Sequence, residues 1–359
     1  MHNYKYRPHS FLIAVIVALS FCLLPVRAGY GEDNHEANLA SPEVGGEQSA
    51  ASAATLAKED AAPAATADEP AQAVKPKPKS VSMDARRLLF GKKKASLKIK
   101  LTIKPKNADI SDLEFTSANK KVAKVDPKTG KVTAVGYGST VITVKVGKKT
   151  ASCPVTVAKK WVALTFDDGP GKPTEGLLKE LRKRDVDVTF FIIGRQAQSK
   201  NSRKLLKKMV ADGHEIANHT WDHVGTASRV ISQVRRTDKV IKDVTGRRAS
   251  LMRPPYGSVN GNTMKCGKPV ILWSVDPQDW RYRNADTVYN HVISHASSGS
   301  IILLHDIHPT STKAGIRIID TLEKKGYAFV TVSQLLKNPK PGKLYRKGPT
   351  EVRTMKILY

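Results

Sequence analysis

The run Trp161-Val162-Ala163-Leu164-Thr165-Phe166-Asp167-Asp168-Gly169-Pro170 decides the fold class. Its apolar and β-branched residues lack the polar alternation of a half-exposed strand. A strand buried on both faces is therefore expected, ending on two carboxylates and a Gly-Pro turn. Pro173 and Thr174 then open an amphipathic helix carrying Leu177 and Leu181. The rhythm repeats downstream. Strands fit residues 188–193, 215–217, 270–275, 301–304 and 328–332, and helices fit the Leu205, Leu206, Met209 stretch and residues 230–244, 287–295 and 314–325. Continuous apolar strands alternating with helices predict an α/β domain whose parallel sheet is covered by helices. Residues 161–336 are few for an eight-fold barrel but enough for a reduced one.

Upstream the period changes to two. Leu97, Ile99, Leu101 and Ile103 alternate with Ser, Lys and Thr, and turn signals stand at Pro127-Lys128-Thr129-Gly130 and Gly136-Tyr137-Gly138. Residues 81–160 thus read as a small all-β sandwich. Residues 29–80, rich in Ala, Gly, Ser, Thr, Pro and acids, hold no regularly spaced large apolar side chains and predict a disordered linker. The linker closes on the stiff Lys75-Pro76-Lys77-Pro78-Lys79, which should hold the next domain away. Residues 1–28 read as an export signal, with Lys5 and Arg7 before an apolar stretch from Phe11 to Val26 and a Val26-Arg27-Ala28 cleavage pattern. That stretch spans about 24 Å as a helix, short of the roughly 30 Å hydrocarbon core, so no stable membrane anchor is expected. Residues 337–359 form a basic C-terminal extension, expected to be solvated.

The net charge of +28 is unevenly placed: residues 81–160 carry 19 bases against five acids. Such a field attracts polyanions. Export argues against nucleic acid, and no nucleic-acid module is recognisable. Three cysteines exclude a disulfide-rich scaffold or a Cys-built zinc finger, and Cys153 and Cys266 read as ordinary buried thiols.

The acids and histidines fall just past the predicted strands. Asp167 and Asp168 follow the first, and His219 and His223 follow the third in Asn218-His219-Thr220-Trp221-Asp222-His223. Arg253-Pro254-Pro255-Tyr256-Gly257, Asp276-Pro277-Gln278-Asp279-Trp280 and Leu303-Leu304-His305-Asp306 end later ones. In a parallel barrel such positions converge on one face. Singly each has a plain explanation: Asp-Asp-Gly-Pro is a common turn, Arg-Pro-Pro-Tyr a rigid loop, Asp279-Trp280 a core pair. The His-x-x-x-His spacing says more, since i,i+4 imidazoles on one helical turn reach the same ion. All five clusters in order point to an active site.

That ordered set resembles the NodB homology domain, the polysaccharide deacetylases of carbohydrate esterase family 4. Trp273-Ser274-Val275-Asp276, Asp279-Trp280, Arg283-Asn284-Ala285 and His305-Asp306-Ile307-His308 look like the peptidoglycan N-acetylglucosamine deacetylases. The segment from Phe115 to Gly138, with Val122-Ala123-Lys124-Val125 and Val132-Thr133-Ala134-Val135, resembles the group 2 bacterial immunoglobulin-like domain. The resemblance implies a distorted (β/α) barrel of seven or eight strands behind an immunoglobulin-like sandwich. It implies an exported, metal-dependent enzyme, secreted or wall-associated, that removes acetyl from N-acetylglucosamine in a cell-wall polysaccharide, peptidoglycan first. Chitin-type oligomers, exopolysaccharide and acetylxylan are the alternative substrates, and an inactive wall-binding protein is the rival of another class.

By the same resemblance Asp168, His219 and His223 hold one divalent metal, Zn²⁺ before Co²⁺, Ni²⁺ or Mn²⁺. Asp167 is the base, Arg253 its partner, His305 the acid and Asp279 the group that fixes His305. The backbone N–H of Tyr256 faces the oxyanion, and Trp280 and Leu303 line the acetyl slot. Asp222, Asp276, Asp306 and His308 are expected to have supporting or surface duty, and His291 and His295 to be surface residues. The basic residues leave an anionic wall polymer open as a partner, a solvated face being the commoner explanation.

Overall fold

The computed structural model describes residues 74–223 and 227–358. The expected leader and the linker up to residue 73 lie outside them. Within the strand Lys160–Asp167 alternation divides the work. Val162, Leu164 and Phe166 pack with Leu177, Leu181 and Ile318 of the covering helices. Trp161 and Ala163 face an inner cluster with Phe191, Ala217, Leu251, Ile271 and Ile301. Thr165 and Asp167 continue this inner row, and so a carboxylate arrives at the inner end of an otherwise apolar strand.

This strand pairs in parallel with Thr189–Ile192, with Ser300–His305 and, at its first residues, with Tyr327–Phe329. Glu215–Asn218 extends the sheet beyond Thr189–Ile192. The helices Thr174–Arg184, Lys200–Ala211, Val230–Thr245, Ala285–His295 and Pro309–Lys324 supply the cover. A continuous barrel ladder does not form. Between Glu215–Asn218 and Ser300–His305 the ring is carried by single bridges, Asn218 to Met252, Met252 to Val270 and Val275 to Ile302. Pro254, Pro255, Pro269 and Pro277 flank these segments and have no N–H to give to a ladder.

The sandwich sets the sheet Arg87–Phe90, Lys149–Val157, Gly138–Val146, Glu114–Ser117 against the three strands Ser96–Lys98, Lys131–Ala134, Ala123–Val125. Phe90, Ile99, Phe115, Ile142 and Val155 fill the space between. The Asp109 N–H donates to the Pro76 carbonyl at 2.8 Å, so the Lys-Pro spacer lies along the sandwich instead of standing clear of it. Cys153 is buried, whereas Cys266 is only half-buried.

The C-terminal extension is not a solvated tail. Leu344–Tyr345 pairs with Val270–Ile271, and Met355–Ile357 is the edge strand of the sandwich, antiparallel to Arg87–Phe90. Val352 and Ile357 are buried. Arg353 lies 4.8 Å over the Trp161 ring, whose Nε1–H donates to the Pro349 carbonyl at 2.7 Å. Strands of two or three residues are too short for alternation to reveal.

The two folded parts meet at the N-terminal ends of the parallel strands. Arg87 reaches Asp185 at 2.7 Å and Arg86 pairs with Asp187, both acids lying just before Thr189–Ile192. Leu89 and Ala158 of the sandwich share one apolar cluster with Trp161, Ala328 and Val352. Cavities of about 370 and 590 Å³ border this junction, at the opposite end of the strands from Asp167.

Candidate active site

A cavity of about 350 Å³ opens at the C-terminal strand ends, lined by Asp167, Asp168, His219, His223, Tyr256, Trp280, Leu303 and His305 together with Pro254, Trp273 and Asp276. Arg253 and Asp279, both fully buried, stand behind Asp167 and His305. All ten residues singled out in the sequence thus come to one place.

Asp168 follows its strand in the left-handed region, at φ 71°, which turns its carboxylate aside from the inner row. Its Oδ1 lies 3.3 Å from His219 Nε2 and 3.4 Å from His223 Nε2. His219 Nδ1 sits 2.8 Å from the Arg253 carbonyl. The carbonyl can only accept, so Nδ1 carries the proton and the neutral ring turns a lone pair on Nε2 toward Asp168. Asp168 Oδ1 is buried without a hydrogen-bond partner. Lone pairs facing one another without a proton between them call for a cation. The spacing agrees, since two donors about 2.0–2.1 Å from a tetrahedral ion stand about 3.3–3.4 Å apart. The donor atoms of the three residues lie within 4.8 Å of one another, so the set fits a divalent metal.

The two histidines do not share a helical turn. They sit in a loop in which Thr220 and His223 have φ 64° and 63°, and that loop is pinned from the helix behind it. Asn218 gives its Nδ2–H to the Val234 carbonyl and to Asp238, and its Oδ1 accepts the Thr220 N–H at 2.8 Å. Gln233 Oε1 accepts the N–H of Trp221 and of Asp222, at 2.8 and 3.0 Å. Sequence reading passed over both supports, although a glutamine on the apolar face of the 230–245 helix is a visible irregularity.

Arg253 is held on every nitrogen. Nη1 donates to Asp167 Oδ1 and to Thr165 Oγ1, each at 2.7 Å, Nε to the Ile271 carbonyl and Nη2 to the Leu272 carbonyl. Its guanidinium stacks 4.0 Å over the Phe191 ring. This leaves Asp167 Oδ2, 3.7 Å from His219 Nε2, as the oxygen able to take a proton. Across the cavity Asp279 accepts the His305 backbone N–H and lies against His305 Nδ1, both at 2.8 Å. Burial works against an imidazolium, but Asp279, with Asp167 and Asp168 beyond, raises the His305 pKa to about 9. Tyr256, at φ 58°, stands on the lip with its ring against His223, and Trp280 is half-exposed.

Asp306 has no surface duty: it is fully buried. It lies under Gly169, where a Cβ would come within 2.3 Å of its Oδ1. Thr174 accepts the Gly171 N–H at 2.8 Å and donates its hydroxyl to Asp306. The loop bearing Asp167 and Asp168 is thereby fastened to the segment bearing His305. Thr174→Val removes the hydroxyl and strands a buried carboxyl and an N–H; a stability loss of about 1–3 kcal/mol is expected, read from thermal or urea unfolding. Asp276 lines the cavity and accepts the Gln278 N–H, whereas His291 and His295 stack on each other outside it.

Comparison with known proteins agrees with this geometry. The polysaccharide deacetylase family matches residues 154–269, and the group 2 bacterial Ig-like domain matches residues 79–157. A peptidoglycan-N-acetylglucosamine deacetylase of Bacillus cereus is 37% identical over 197 residues, 50% of this chain and 89% of that protein. The peptidoglycan-N-acetylglucosamine deacetylase PgdA of Listeria monocytogenes is 36% identical over 248 residues, 66% of this chain. This chain matches about half (53%) of the length of that relative. Among solved structures, a family 4 acetyl xylan esterase from Clostridium thermocellum, in complex with a cobalt ion, has a TM-score of 0.50 at 31% identity, covering 53% of this chain and 100% of that one. The chain belongs to the polysaccharide deacetylase family, with a group 2 bacterial Ig-like domain N-terminal to the deacetylase part.

Proposed function

We propose that the chain is an exported, metal-dependent deacetylase that hydrolyses the N-acetyl group of N-acetylglucosamine residues in peptidoglycan. The observation that carries this reading is the convergence, on one cavity, of a cation-fitting Asp168-His219-His223 set with an Arg253-held carboxylate on one side and an Asp279-held imidazole on the other. Names of relatives that act on peptidoglycan support the choice of polymer. The leader-like residues 1–28 support export to the wall.

Asp168, His219 and His223 would hold the metal, Zn²⁺ before Co²⁺, Ni²⁺ or Mn²⁺ on its N,O ligands. A divalent ion there supplies Lewis acidity, making water more acidic and drawing charge from a carbonyl. Asp167 takes the proton of the attacking water on Oδ2 while Arg253 holds Oδ1 and fixes the carboxylate in place. The Tyr256 N–H, presented by the left-handed turn on the lip, meets the developing oxyanion. His305, bound through Nδ1 to Asp279, donates from Nε2 to the departing amine. Trp280 and Leu303 shape the slot for the acetyl methyl.

The test is acetate release by the whole chain from peptidoglycan, chitin oligomers and acetylxylan. Peptidoglycan is expected to yield most, with release abolished by chelator and by Asp168→Ala, and restored to the wild type alone by Zn²⁺. Wall binding without acetate from any of the three would end the proposal.

A further inference from the structure

We propose that the Ig-like domain carries a binding face for a phosphodiester-linked anionic polymer, formed by Lys98, Lys100, Lys104, Lys124 and Lys131. From Ser96 to Lys104 even-numbered residues are exposed and odd-numbered ones partly or wholly buried, without a break. Lys98, Lys100 and Lys104 therefore all point outward, Lys98 from the three-stranded sheet and Lys104 from the continuation of the chain that pairs with Ser80–Met83. The next strand sets Lys131 directly opposite Lys98. The strand beyond sets Lys124 opposite Thr133, which shares the outward face with Lys131.

Like charges directly opposite one another weaken a strand pair. Lysine on an edge strand alone would be explained by the need to block stray pairing. Here Lys131 is on the central strand of its sheet and Lys124 on the far one, so the charge crosses the whole face. Of the five carboxylates of residues 81–160, Asp84 and Asp126 lie near Lys100 and Lys131, and each carboxylate is bound first by other groups. Asp84 takes Lys356 and the Lys100 N–H, Asp109 the Ser111 N–H, Asp112 the Gly147 N–H, and Asp126 the N–H of Lys128 and Thr129. Glu114 lies across from Lys145 on the other sheet. Among the described residues none of the five lysines has an ion-pair partner.

A face on which lysines outnumber the acids, and the nearby acids are bound by other groups, matches a chain bearing one fixed negative charge per repeat. The N-acetylglucosamine residues on which the catalytic part would act carry no phosphodiester charge, so the face addresses a different component of the wall from the reacting sugar. The sandwich joins the catalytic part at the end of the parallel strands remote from the cavity, and each site can be filled while the other works. The inference rests on the proposed role at the cell wall, where such polymers and the glycan occur together.

The whole chain and its Lys98/Lys100/Lys104/Lys124/Lys131→Gln variant are sedimented with bacterial walls that retain phosphodiester polymers and with the same walls stripped of them. Wild type is expected to bind retained walls at least tenfold more tightly than stripped ones. The variant should lose at least tenfold on retained walls, with a salt dependence shallower by about 0.7 in log–log slope per lysine. Its far-UV circular dichroism and its acetate release from soluble chitin oligomers should be unchanged. Equal binding to both kinds of wall, or a variant that binds like wild type, overturns the inference. Acetate release from stripped walls reports on the deacetylase reading by itself, so either can fail alone.

Discussion

Replacing His305 by Ala is expected to slow acetyl-amide hydrolysis about 10²–10⁴-fold while leaving an activated acetyl ester nearly as reactive as before. An amine leaves poorly unless it is protonated; an activated alkoxide or phenoxide leaves unaided. Equal losses on both substrates would remove the acid role. The pH profile offers a second reading of the same group. With its pKa raised to about 9, His305 carries its proton at neutral pH and loses it above about 9, so amide turnover should fall on that alkaline side. Asp279→Asn removes the charge that raises it, and the alkaline limb should move down toward the ordinary histidine value near 6.5. Stability follows the same sign. A raised folded pKa means that the His305–Asp279 pair stabilises fully below about 6.5 and that this contribution disappears as pH climbs through about 9.

Arg253→Met should cost about 3–5 kcal/mol in unfolding free energy, because it leaves the Asp167 carboxylate buried without its counter-charge. Acetate release should fall by at least about 10²-fold in protein that still folds, since Asp167 loses the contact that fixes its second oxygen. Arg253→Lys should rescue little. One ammonium cannot serve Asp167 and Thr165 on one strand together with the consecutive Ile271 and Leu272 carbonyls of another segment, nor stack on Phe191. Urea unfolding alongside acetate release reads both effects; wild-type stability and rate in the methionine variant would show that Asp167 does not depend on this arginine.

The strand Lys160–Asp167 was legible because its burial is continuous and its final carboxylates break the pattern abruptly. The helices over Val230–Thr245 and Pro309–Lys324 were legible for a similar reason, each presenting one long apolar face. Sequence periodicity fails where an element is shorter than its own period. Leu344–Tyr345 has two residues and Met355–Ile357 three, and each is held by partners more than 70 residues away. In the site, charged groups at strand ends stood out. The helical-turn geometry expected for His219 and His223 gave way to two left-handed residues, which the spacing alone does not encode. Thr174 and Asn218 were missed because a small polar residue beside a charged motif resembles ordinary turn chemistry until its hydrogen bonds are seen.

The last strand of the chain completes the sheet of its first domain. A ribosome therefore releases the final piece of the sandwich only after the entire catalytic part has been made, and the sandwich must wait unfinished until then. Cutting at residue 157 to graft the Ig-like module elsewhere would bare the Arg87–Phe90 edge, with Leu88, Leu89 and Phe90 open to pairing with any passing strand.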